Sequence, residues 1–258
     1  MIEESKVKIV FRTLVFHEVR PVEELYEQPR PILVADGYED ALPLPLFDSL
    51  PLFQEQINYL KQEGFHSLSI SEVRAFYEQG QPLPEKSVLL TFDDCYQSLK
   101  EYAYPVLKEA GFQATVFVAA GWLFQTPSRY QPEVSKVLSK EELKEIADVF
   151  EYANHTTHFH ERRGTTQSRP MWETAEHFKK DLLLCNEQVA LTDVFAYPFG
   201  LYDQQTVDVL REMNFCLAFT TKSGINTPET APLELHREVI PYTMPIEVFK
   251  TMMETEGK

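Results

Sequence analysis

Two adjacent carboxylates, Asp93 and Asp94, close the stretch Ser87-Val88-Leu89-Leu90-Thr91-Phe92-Asp93-Asp94. Neighbouring anions repel unless a cation or a proton separates their roles. A second cluster reads Asn154-His155-Thr156-Thr157-His158-Phe159-His160. Histidines packed this closely suggest a metal. Zinc takes neutral imidazoles and carboxylates, and a catalytic zinc keeps one position open for water. Two of these histidines with one aspartate would make such a set. Spacing does not fix which two. His158 and His160 share one side of a strand. His155 and His158 are neighbours on a helix. His155 and His160 would need a loop that turns back on itself. His17, in Leu14-Val15-Phe16-His17-Glu18-Val19, adds a group that titrates near neutral pH and suits proton transfer. Each feature has a plainer reading: an Asp pair capping the next helix, histidines in a solvated loop, a strand-end histidine bonded to backbone. Asn154-His155-Thr156 is also a formal glycosylation sequon, but a glycan there would block the cluster.

Rigid elements must hold these side chains. Ser87 to Phe92 is a continuous apolar run, which predicts a strand buried on both faces in a parallel sheet. Gln97 to Gly111 follows as a helix with a glycine stop. Further strands are expected at Val7–Phe16, Phe65–Ile70, Ala114–Val118, Phe150–Ala153, Val194–Tyr197, Cys216–Thr220 and Glu238–Ile240. Helices are expected at Leu52–Leu60, from Ser71 as cap to Gly80, from Ser139 to about Val149, and at Glu173–Val189, Thr206–Met213 and Ile246–Met253. Arg20 to Pro45 is proline-rich and reads as an excursion over one rim. Strand and helix alternate about eight times, which predicts α/β architecture, parallel pairing and a closed or nearly closed barrel. No repeat or linker interrupts residues 1–258, so a single domain is expected. His17, the Asp pair, the histidine cluster and Pro198-Phe199-Gly200 each follow a predicted strand. In a barrel those ends share one face.

The chain of 258 residues is 43% hydrophobic, enough for a large core, and its net charge of −16 makes it a poor partner for nucleic acid or an anionic membrane. No apolar run reaches transmembrane length. Met1 to Lys6 is charged and lacks the apolar core of a signal peptide. A cytoplasmic protein is therefore expected, or an extracellular or cell-surface one if a leader has been removed. Cys95, Cys185 and Cys216 are too far apart for a metal knuckle or a disulfide framework. Cys95 beside the Asp pair is a poor nucleophile, because neighbouring carboxylates suppress a thiolate.

The motifs Thr91-Phe92-Asp93-Asp94, the His-Thr cluster and Phe195-Ala196-Tyr197-Pro198-Phe199-Gly200 resemble the three central motifs of the NodB-type polysaccharide deacetylases. Phe16-His17-Glu18-Val19 resembles a motif near the start of one branch, the poly-N-acetylglucosamine deacetylases of biofilm formation. The resemblance spans nearly the whole chain. It implies a distorted, incomplete (β/α) barrel and a divalent metal, most commonly zinc. Its His-Thr-x-x-x-His pattern falls on His155 and His160 and leaves His158 as an extra. By the same resemblance Asp94 is the carboxylate ligand, Asp93 the general base and His17 the acid for the departing amine. The N–H of Phe199 would help hold the oxyanion. Tyr197, Pro198 and His236 would line the substrate site, with His236 the competing acid. The implied partner is an N-acetylated glycan. Three positions depart from the pattern: Cys95 in place of glycine, Phe199 in place of tyrosine, and Ala196 where much of the family has an arginine that orients the base. A glycan-binding module with lost catalysis, stacking sugars on Trp122, Trp172 or tyrosines, is the main rival. Deacylation of a small intracellular amide is a second. A glycosidase ranks last, since adjacent aspartates on a strand point to opposite faces.

Overall fold

The computed structural model describes residues 10–25 and 28–255. Its centre is an eight-stranded sheet, and every pairing in it is parallel. In spatial order the strands are Leu217–Phe219, Leu191–Ala196, Phe150–Asn154, Ala114–Val118, Ser87–Asp93, Phe11–Phe16 and Glu238–Val239, with His66–Ser67 also paired to Ser87–Asp93. Residues 7–9 of the expected first strand lie outside the described residues.

Period-2 alternation sorts the strand residues into two layers. Leu89, Phe117, Ala153, Val194, Ala196, Leu217, Phe219 and Leu235 pack together inside the curl. Val88, Leu90, Phe92, Leu14, Phe16, Val116 and Val118 face outward into a core shared with Phe53, Ile57 and Leu60 of the helix Leu50–Gln62. Every residue of Ser87–Asp93 is buried, as a strand covered on both faces requires. The curl does not close into a full ladder. Among the described residues Leu217–Phe219 meets the far side through the single bridge Phe219–Leu235, a few residues before Glu238 and Val239 pair with Leu14 and Val15. The structure is thus the distorted, incomplete (β/α) barrel expected.

Several expected elements change in detail. The cap of the second helix is Ser69, not Ser71; it accepts Glu72 N–H while Glu72 returns a bond to Ser69 N–H, and the helix runs Ile70–Gln79. The predicted helix from Gln97 begins as a wide π turn, Leu99–Ala103, before Tyr104–Ala110. Pro105 cannot donate to the turn before it, which breaks the regular ladder there. The capping box of Ser139 and Glu142 forms, but its helix stops at Glu145. The excursion over the rim is not featureless: Arg30–Leu33 and Ala41–Leu42 pair antiparallel, and Arg30–Leu33 also pairs with Ser135–Lys136. Among the described residues no helix is long and apolar enough to cross a membrane.

Candidate active site and metal centre

The carboxyl ends of the strands surround a cavity of about 260 Å³, lined among others by His17, Asp93, Asp94, His155, His160 and Phe199. Asp93 is the last residue of its strand and points inward, on the same face as Leu89. Asp94 then leaves the strand with φ 74°, followed by Cys95 with φ 60°. Those two left-handed residues bring adjacent carboxylates into one cavity, which a continuing strand would have forbidden. A non-glycine residue in this region stores about 1–3 kcal/mol of strain, and Cys95 carries it where the family pattern has glycine.

The histidine cluster is a loop folded back on itself. Asn154 ends its strand and its Oδ1 accepts Thr156 N–H at 2.8 Å, and Thr156 turns the chain at φ 73°. Asp181, on the helix Ala175–Asn186, accepts the N–H groups of Thr157 and His158, each at 2.7 Å. Asn154 Nδ2 donates to Leu182 O and Asn186 Oδ1. The side chain of Asn154 is fully buried and bonded, so the sequon is not a glycan acceptor in this fold. This loop brings two of the three histidines to Asp94. Nε2 of His160 lies 3.3 Å and Nε2 of His155 3.7 Å from Asp94 Oδ1. His158 is exposed and turned to Asp36, at 3.3 Å.

Asp94, His155 and His160 offer ligand atoms that all lie within 4.8 Å of one another. Asp94 Oδ1 is buried and has no hydrogen-bond partner, an expensive state for a carboxylate oxygen unless a cation meets it. His155 Nδ1 lies 2.8 Å from Ala196 O. A carbonyl can only accept, so Nδ1 carries the proton and Nε2 presents its lone pair. Burial lowers the pKa of both imidazoles, further for His160, which also feels His155. Both are therefore neutral, the form a metal binds. Burial and the charge of Asp93 push the Asp94 carboxyl well above the usual carboxylate range; a divalent cation would reverse that. This donor set fits a metal. His160 is wedged between Trp122, at 4.4 Å between ring centroids, and Phe199, at 4.3 Å.

The partner of Asp93, which the sequence did not reveal, is Arg237. Its Nη1 and Nη2 donate to the two Asp93 oxygens at 2.7 and 2.8 Å, and its Nε donates to Thr220 O at 2.8 Å. Arg237 is fully buried. Burial alone would raise the Asp93 pKa, but Arg237, His155 and His17 together hold it well below the usual carboxylate range. An arginine from the strand-like segment after Leu235 thus replaces the one expected at Ala196. Its only sequence signal is the spacing Leu235, Arg237, Val239, which puts a guanidinium where an inward apolar residue belongs. His17 lines the cavity; burial pushes its pKa down to about 4.

The expected substrate-lining residues Tyr197, Pro198 and His236 are not in the cavity wall. Tyr197 is buried, donates to Leu233 O at 2.8 Å and stacks on Tyr202. Pro198 is buried under its turn. The ring of His236 sits over Gly224, with Nδ1 3.3 Å from Lys222 O. Phe199 does reach the wall, because φ 59° turns the chain there. Gly200 follows at φ 69°, so close to Thr221 that a Cβ would collide with its hydroxyl.

Residues 80–218 match the family described as polysaccharide deacetylase. A protein of Escherichia coli named poly-β-1,6-N-acetyl-D-glucosamine N-deacetylase is 27% identical over 67% of this chain and 30% of its own length. A Staphylococcus aureus protein of the same name is 26% identical over 73% of this chain and 66% of its own length. The chain therefore spans less than two thirds of these relatives. A Streptococcus pyogenes deacetylase solved in complex with acetate superposes with a TM-score of 0.73 at 23% identity, covering 96% of this chain and 100% of that one. That likeness establishes the shared fold.

Proposed function

The chain belongs to the polysaccharide deacetylase family, and from that premise we propose that it is a metal-dependent hydrolase removing acetyl groups from N-acetylglucosamine units of a poly- or oligosaccharide. One observation carries the reading. Asp94, His155 and His160 converge from two distant segments, and a second carboxylate, Asp93, stands beside them under the fork of Arg237. The names of the two relatives support the sugar.

Asp94, His155 and His160 would hold the ion, and two imidazoles with one carboxylate favour zinc. When bound, such an ion supplies polarisation of the amide carbonyl and acidification of a water. Asp93 is anionic at neutral pH and takes a proton from the attacking water. Arg237 fixes both oxygens of Asp93, so the carboxylate needs no reorientation as the proton arrives. The N–H of Phe199, on the turn that reaches the cavity, donates to the oxygen that gains charge. His17 is uncharged at neutral pH, so the proton it passes to the departing nitrogen is the one that Asp93 has taken from the attacking water. His236 has no part, since it lies outside the cavity.

The test is release of free amine and acetate from N-acetylglucosamine oligomers by zinc-loaded protein. Activity that chelator abolishes and zinc restores supports the reading. Oligomer binding that survives Asp93→Asn, with no acetate released by the wild type under any metal, would replace it with the glycan-binding alternative.

A further inference from the structure

One polar pair in the cavity wall has no role in the chemistry above. Arg162 stands two residues past His160 and lines the cavity together with Asp40. Its Nε and Nη2 donate to Asp40 Oδ2 and Oδ1 at 2.9 and 2.8 Å. Asp40 also accepts the Tyr38 hydroxyl at 3.2 Å and the Ala41 N–H at 2.8 Å. The guanidinium lies over the Phe199 ring, 5.4 Å from its centroid. Tyr38 stacks nearly parallel on Trp122, at 5.8 Å and 16°. Trp122 in turn packs on His160. The pair is thus locked in orientation by aromatic faces and by a bidentate bond.

Charge and size limit what such a wall can read. An unpaired arginine would favour an anion. Here the carboxylate neutralises it, while Arg162 has three N–H groups beyond those that Asp40 takes, shared between the Tyr38 hydroxyl and the cavity. Donors with no net charge behind them, next to aromatic surface, match the hydroxyl oxygens of an uncharged ring. A cavity of about 260 Å³ falls just under the roughly 300 Å³ where drug-sized ligand sites begin. It has room for one sugar unit.

We propose that Arg162, oriented and neutralised by Asp40, is a specificity-determining residue that donates hydrogen bonds to the hydroxyls of a single uncharged N-acylhexosamine unit while its amide lies over Asp94, His155 and His160. This rests on the function proposed above. The pair selects neutral pyranosides over amides and esters that carry no sugar. It acts on binding, with no part in the proton transfers of Asp93.

The experiment compares zinc-loaded wild type, Arg162→Lys and Asp40→Asn on an N-acetylglucosamine oligomer and on an aryl acetate. Lysine keeps the charge and loses the fork; asparagine keeps the shape and loses the neutralising charge. Each variant should lower the oligomer-to-aryl-acetate ratio of kcat/KM by about tenfold or more, through the oligomer KM. A ratio within about twofold of wild type in both variants, whatever the absolute losses, overturns the proposal and leaves the pair a prop for the loop. A wild type that cleaves the aryl acetate but no oligomer instead defeats the function it rests on. Melting temperatures of the variants separate misfolding from lost recognition.

Discussion

Arg237→Lys isolates what the guanidinium fork does for Asp93. The fork spends two donors on the two carboxylate oxygens, at 2.7 and 2.8 Å. Hydrogen bonds to charged groups contribute about 1.5–3 kcal/mol each. Lysine keeps the positive charge but is a point donor, so one of the two bonds goes and the carboxylate can rotate. If that bond matters only when Asp93 receives its proton, the loss is about 1.5–3 kcal/mol of transition-state stabilisation, or roughly 10- to 150-fold in kcat. Arg237 lies behind Asp93 rather than in the cavity wall, so KM should move less than about threefold. Arg237→Met is the harsher control. It leaves a buried carboxylate alone, and breaking a buried pair costs about 3–5 kcal/mol of stability. Initial rates of amine release over an oligomer concentration series, beside melting temperatures, separate the two effects. A lysine variant with wild-type kcat, or a loss confined to KM, refutes the positioning role.

Asp48 supplies a pH prediction away from the site. Its carboxyl is buried, and burial raises its pKa to about 7 against an ordinary 3.8. The folded state therefore keeps the proton longer than the unfolded chain. The associated stability is intact below about pH 4 and lost as pH rises through about 7. At 1.36 kcal/mol per unit, the wild type should lose about 3 kcal/mol from this group between pH 5 and pH 8. Asp48→Asn should flatten that slope in denaturant titrations; an unchanged slope contradicts the assignment. Asp181→Ala should leave the Thr157 and His158 N–H groups without their acceptor. The expected cost is about 2–5 kcal/mol of stability, with zinc affinity weakened roughly 10- to 100-fold because the loop carrying both histidines loosens. A competition titration with a zinc indicator reads the second effect, and unaltered affinity excludes it.

The strand Ser87–Asp93 was legible because a continuous apolar run ending in polar residues has few other uses in a parallel sheet. The clustering of site residues at strand ends followed from the alternation of strands and helices. The ligand pair was not legible from spacing, because His155 and His160 meet only through the left-handed turn at Thr156 and the anchoring of the loop by Asp181. Both are tertiary facts. Arg237 stayed hidden for the same reason: its partner is 144 residues away in the chain. Asp40 and Arg162 are likewise separated by 122 residues. Tyr197, Pro198 and His236 were assigned to the substrate site by resemblance alone, and their side chains lie outside the cavity wall. A strand end or turn exposes only alternate groups to the mouth: Tyr197 turns to Leu233 and Tyr202, and the ring of His236 lies over Gly224.

The most direct measurement is the zinc content of protein equilibrated with limiting zinc, for wild type, Asp94→Asn, His155→Ala, His158→Ala and His160→Ala. The wild type and His158→Ala should each hold one zinc per chain with equal affinity, while the other three lose it. Full zinc binding by His160→Ala or Asp94→Asn, or its loss in His158→Ala, would contradict the centre described here.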